Sequence, residues 1–180
     1  MTAENGKDKR DKRLLTLDDV AANACELLLT HGSHVSTVLV EGSGKLAIIQ
    51  LRGVPPTPEE RAQHMFIAGF KLAQKDQELR VIEQLFHITE GWMSAVSADD
   101  TSALPPSEDP KRKEVLLVSQ LNIRQRQAGG RVFEMRRDDT GQLAEVVSLD
   151  IGMGDQTEAF SPLLGAFAFG FFTGRESSPG

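Results

Sequence analysis

Arg80-Val-Ile-Glu-Gln-Leu-Phe-His-Ile-Thr-Glu90-Gly-Trp-Met93 and Glu114-Val-Leu-Leu-Val-Ser-Gln-Leu-Asn-Ile-Arg124 are the two runs on which the reading of this chain turns. Both are β-patterned, and they predict strands over Leu79–Glu90 and Glu114–Arg126. In the first, Ile82, Phe86 and Ile88 share one face, and Gln84 interrupts it. Gly91 predicts a bulge that turns Trp92, the only tryptophan, inward. Residues 97–113 form a loop that holds three of the eight prolines and a cluster of charges.

The chain on either side supplies the rest of an α+β domain. Thr16-Leu-Asp-Asp19 has an N-cap hydroxyl and two carboxylates for the positive end of a helix. Val20, Ala21, Ala24, Leu27 and Leu28 continue at helical spacing, and Gly32 stops it. Val35–Glu41 and Lys45–Leu51 flank Gly42-Ser-Gly44 as a hairpin. Thr57-Pro-Glu-Glu60 then opens a second helix, which runs to about Lys75 with Met65, Ala68, Gly69 and Leu72 facing the core. Gly69 costs a helix about 1 kcal/mol relative to Ala, which suggests close helix–sheet contact there. Downstream, Gly129-Gly130 turns into a strand over Arg131–Arg137. Asp138-Asp-Thr-Gly141 then turns into another over Gln142–Leu149.

These elements predict two helices on one face of a mostly antiparallel sheet of about six strands, in the order α-β-β-α-β-β-β-β. The domain covers residues 14–150, after a polar arm over 1–13 that lacks apolar area to bury. A Gly/Phe-rich tail occupies 151–180, where five of the nine phenylalanines fall between Phe160 and Phe172. Phe160, Leu164, Phe167 and Phe171 trace a helical stripe. Phe167, Phe169 and Phe171 also alternate with small residues, as in a strand. Gly165 and Gly170 weaken the helix. So much apolar surface must pack on its own domain or on a partner.

Composition narrows the function classes. At 180 residues, with 39% hydrophobic and 26% charged residues, the chain is ordinary for a globular domain. A single cysteine excludes an internal disulfide. No apolar run is long enough to span a bilayer, and the charged N-terminus lacks a secretory h-region, so a cytoplasmic location is expected. The net charge of -6 is uneven. Eight basic residues against Glu114 and Glu134 lie between Lys111 and Arg137, which leaves the remainder near -12. Arg124, Arg126, Arg131 and Arg136 could thus form a local anion site, whereas the acidic whole and the absence of tyrosine argue against general nucleic-acid binding and base stacking.

Candidate chemistry is sparse. The four histidines show no zinc-ligand spacing: His31 and His34 read as loop residues, His64 lies on the second helix, and His87 reads as a strand-surface residue. There is no Gly-x-Ser-x-Gly elbow and no phosphate loop, and Cys25 sits in an apolar helical pattern. No metal and no cofactor is expected. Glu90 falls on the face of Ile82, Phe86 and Ile88, and a buried carboxylate needs a partner. Arg112 is expected to supply it, with Trp92 buried under the loop. Glu90, Arg112 and Glu114 form the catalytic alternative; a structural ion pair pinning the loop is the plainer reading.

Glu90-x-Trp92-Met93 followed by Pro106-Ser107-x-x-Pro110-x-Arg112-x-Glu114 resembles a pattern in uncharacterised bacterial and phage-associated proteins. That resemblance implies no particular activity. The sequence favours a non-enzymatic interaction protein that assembles with itself or a protein partner through Phe160, Leu164, Phe167, Phe169 and Phe171. Two alternatives remain: a small metal-dependent hydrolase or nuclease using Glu90 with Glu108, Asp109 and Glu114, and a nucleic-acid accessory factor using the basic strands.

Overall fold

Side chains that satisfy the free N–H groups of a first turn start two of the helices. The Thr16 hydroxyl accepts from the Asp19 N–H at 3.1 Å while the Asp19 carboxylate accepts from the Thr16 N–H, and this reciprocal box opens α1 (Leu17–His31). Gly32 closes it in the left-handed region. The Thr57 hydroxyl accepts from the Glu60 N–H and Pro58 supplies the first turn of α2 (Pro58–Lys75). The computed structural model describes residues 14–94, 105–106, 108–150 and 162–177. The polar arm, most of the long loop, Ser107 and residues 151–161 with Phe160 lie outside them.

The strands β1 (Thr37–Gly42), β2 (Lys45–Gln50), β3 (Gln84–Met93), β4 (Lys113–Asn122), β5 (Gln127–Arg137) and β6 (Leu143–Leu149) form one sheet in the order β2-β1-β3-β4-β5-β6. Every neighbouring pair is antiparallel. A third helix, α3 (Pro162–Glu176), follows the eight predicted elements. The fold is α+β with a six-stranded antiparallel sheet.

The expectation of two helices on one face fails, because α1 packs on one side of the sheet and α2 and α3 on the other. Val38, Val40 and Leu85 pack with Met65 and Ala73 of α2 and with Leu164, Phe167 and Phe171 of α3. Phe86, Ile88, Leu116 and Val118 pack with Val20, Ala21, Ala24 and Leu28 of α1. Successive strand residues point to opposite faces, so Leu85 and Phe86 belong to different cores. The sheet is therefore the middle of three layers, and all of residues 84–88 are buried.

Three local expectations fail for identifiable reasons. The β3–β4 register runs unbroken through Gly91, opposite Val115, so no bulge turns Trp92 inward. The β4–β5 turn comes before Gly129: Asn122 Oδ1 accepts from the Gln125 N–H at 2.8 Å and Arg126 takes φ 55°. Gly129 is instead a strand residue, where a Cβ would stand 3.3 Å from Leu17. Finally, Gly69 marks a helix–helix contact, because a methyl there would overlap the Phe167 carbonyl of α3.

In the tail, helix prevails over strand. A methyl at Gly170 would overlap the Phe66 carbonyl, and one at Gly174 would stand 2.8 Å from the Phe70 carbonyl. The matching order (66 with 170, 70 with 174) makes α2 and α3 parallel. The glycines that weaken an isolated helix here allow two backbones to meet. Gly69→Ala and Gly170→Ala should each destabilise by about 1–3 kcal/mol or more through overpacking. Gly165, whose Cβ would meet nothing within 4 Å, is the control. Gly165→Ala should stabilise by up to about 1 kcal/mol. Urea midpoints of the three variants check both signs.

Candidate functional site

Of the residues expected to bind a partner, Leu164, Phe167 and Phe171 are buried in the core shared by α2, α3 and the sheet. Phe169 is 67% exposed. Its ring centroid lies 5.7 Å from that of Phe66, which stacks on Phe70 at 6.3 Å. Phe172 is also exposed and meets Phe171 edge-on. Spacing alone named Phe169 but missed Phe66 and Phe70, because their position depends on α2 and α3 lying parallel. The outside of the α2–α3 layer thus carries a ridge of neighbouring aromatic rings.

A second feature is a cleft of about 840 Å³ at the end of β3. β1 begins at Thr37, opposite Ile88, so β3 runs on past it without that neighbour. The cleft is lined by His34 and Ser36 from the segment before β1, by a wall of Pro55, Pro56, Arg61 and His64 around the start of α2, and by Glu90, Trp92 and Glu114 of β3 and β4. Arg61 holds this wall by donating to the Pro55 and Pro56 carbonyls at 2.7 and 2.8 Å.

His87 lies within the cleft. It is 7% exposed, not a surface residue, since both faces of β3 are covered. Its Nε2 is 3.0 Å from Ser36 Oγ. Burial lowers its pKa from 6.5 to about 4, so it is neutral at pH 7. A neutral imidazole of such low basicity is a poor general base for Ser36, and among the described residues no carboxylate is bonded to it.

The Glu90 carboxylate is engaged elsewhere than expected: it accepts from the backbone N–H of His34. Arg112 lies over the Trp92 ring, 4.4 Å from its centroid, and Trp92 is 46% exposed, not buried under the loop. Glu114 takes both prongs of Arg137 at 2.7 Å. The Lys111 N–H holds the Asp109 carboxyl below its usual range. The residues of the Glu-x-Trp and Arg-x-Glu patterns do converge, but their charged groups are already engaged. Among the described residues no group of three or more His, Cys, Asp or Glu is placed to hold a metal.

The arginines of the basic strands are mostly matched as well. Arg131 meets Asp18 of α1 at 2.9 Å, Arg136 lies between Glu134 and Glu145 at 3.4 and 3.0 Å, and Arg124 is 3.9 Å from Glu83. Arg126 stands in the β4–β5 turn. Neutralised arginines make a weak anion site. Among the described residues no helix is long and apolar enough to cross a membrane. No protein-family model, curated protein or solved structure matches the chain, so its function rests on this geometry.

Two outcomes follow from the cleft. The folded-state pKa of His87 lies below its unfolded value, so the unfolded chain binds the extra proton between about pH 6.5 and 4. Stability is retained above pH 6.5 and falls through that window, by roughly 3 kcal/mol from this group. His87→Gln should flatten this acid limb in urea titrations at pH 7.5 and pH 5. Arg112→Ala should cost less than about 1 kcal/mol, as for an exposed cation–π contact, and should shift the emission of the single Trp92.

Proposed function

We propose that this chain is a non-enzymatic interaction protein that assembles with itself or a protein partner through the outer face of the α2–α3 layer. The observation that carries this reading is Phe169, two-thirds exposed and seated against Phe66 in a row that continues to Phe70. Single exposed apolar residues are normal on a surface. Adjacent aromatic rings are different, because interface cores are enriched in them and each ring buried contributes roughly 1.5–3 kcal/mol. The helical backbone beneath is held by backbone contact, which gives a partner a preorganised surface.

The other two readings have less support. A hydrolase needs carboxylates available to a metal or a water, whereas Glu90 is bonded to His34 and Glu114 to Arg137. A nucleic-acid factor needs unmatched cations, whereas Arg131 and Arg136 each face a carboxylate.

Point variants test the reading better than truncation at Ala159, which would remove Leu164, Phe167 and Phe171 from the core. Phe169→Ser with Phe172→Ser should leave the urea midpoint nearly unchanged. The same pair should abolish any concentration-dependent rise in mass by light scattering, and photo-crosslinking from position 169 in cells should give a discrete adduct. A chain that stays monomeric at all concentrations and gives no adduct from position 169 overturns the proposal.

A further inference from the structure

β2 is one edge of the sheet, and after Lys45 it carries no charge, proline or bulge of the kind that usually protects an edge strand. Ser43 and Gly44 both take positive φ, giving a two-residue turn of the hairpin-favouring kind. Such a turn makes Gly42 and Lys45 the hydrogen-bonded pair, so Val40 with Ala47 and Val38 with Ile49 are bonded likewise. The peptide groups of Leu46, Ile48 and Gln50 therefore point away from β1, toward the open edge. The side chains of Leu46 and Ile48 are exposed on the face away from α2, Ile48 at 64%.

On its other face this edge borders a groove of about 780 Å³ between β2 and α2. Ile49, Ala68 and Leu72 floor it, and Lys71 and Lys75 line its helical wall, with Arg52 at one end. The acidic residues at the other end are already engaged: Lys45 pairs with Glu78 and lies 3.9 Å from Asp76. Among the described residues Lys71, Lys75 and Arg52 have no ion-pair partner. The groove is thus locally cationic on a chain whose net charge is -6.

We infer that β2 accepts an extended segment of a protein partner as an added strand, and that this segment alternates acidic and apolar residues. Main-chain bonds to Leu46, Ile48 and Gln50 would give the affinity. Because an added strand keeps the pleat, its apolar side chains would fall beside Leu46 and Ile48, and its carboxylates on the side of Lys71 and Lys75. A second copy of this chain fits less well. Two-fold pairing of β2 with itself would set the lysine row of α2 against its own copy. The site is separate from the aromatic ridge on the outer face of the α2–α3 layer, and either proposal can fail without the other.

The test uses the full chain and a fluorescein-labelled Glu-Val-Glu-Val-Glu-Val-Glu peptide followed by anisotropy, with Lys-Val-Lys-Val-Lys-Val-Lys as the charge control. The acidic peptide should bind saturably and more weakly as salt rises, and the basic one should not bind. Ile48→Pro removes an outward N–H without touching a β1 bond and should abolish binding, whereas Ile48→Thr should retain it. Lys71→Glu with Lys75→Glu should weaken binding by about tenfold or more. Should Ile48→Pro unfold the chain, the double lysine variant decides the matter. Absence of binding, binding indifferent to the lysine pair, or a dimer of the chain that Ile48→Pro dissolves would each overturn the inference.

Discussion

The three-layer arrangement depends on the backbone contact between α2 and α3. Gly69 of one helix and Gly170 and Gly174 of the other leave no room for a Cβ, so the two helices meet main chain to main chain. Close approach of this kind gains dispersion contacts along the whole seam, and it needs small residues at a spacing of four. Gly170 and Gly174 have that spacing, as do Gly69 and Ala73. The pair then acts as one broad slab, which seats Leu164, Phe167 and Phe171 on the sheet. Arg175 locks its end by donating to the Asp76 and Leu79 carbonyls just past α2, where a cation also complements the helix dipole.

On the opposite face, a polar network ties the start of α1 to the centre of the sheet. Gln84 is 2% exposed and donates to the Leu15 carbonyl at 2.8 Å and to Glu41 at 2.6 Å, while accepting from Gln120 at 3.0 Å. Glu41 in turn accepts from the Leu15 N–H at 3.1 Å. A buried amide is tolerable only when its donors and acceptors are satisfied, and here each arm has a partner on a different element. The residue that interrupts an apolar face in the sequence is therefore the point at which the segment before α1, β1, β3 and β4 are joined.

Features that depend on neighbours in sequence were legible. Thr16, Thr57 and Gly32 declare helix ends because caps act on residues three or four away. The turn at Asp138 declares itself because its carboxylate bonds the N–H groups of Thr140 and Gln142. Features set by distant partners were not. Alternation in β3 reveals a period but not that both faces are covered, so the pattern alone reads His87 as exposed and sets α1 beside α2. Gly170 looked like a helix breaker because its benefit lies on Phe66, about a hundred residues away. Glu90 was legible as a carboxylate in need of a partner, but the partner is a main-chain N–H, which no residue type announces.

Charge pairing explains which surfaces remain for recognition. Across β4, β5 and β6 the cations face acids on neighbouring strands or on α1, so much of the charge in the most basic stretch of the sequence is matched in the fold. Exposed pairs of this kind contribute little stability, about 0–1 kcal/mol each, but they remove the local field that would attract an anionic partner. The opposite end of the sheet is built differently. There the acids beside β2 are used by Lys45, and Lys71 and Lys75 stand over an unpaired edge. Two rings of the aromatic ridge, Phe66 and Phe70, lie on the same helix as those lysines, and Phe169 of α3 joins them. Unspent backbone groups, unmatched charge and exposed rings thus gather around α2, the helix whose rigidity the glycine seam secures.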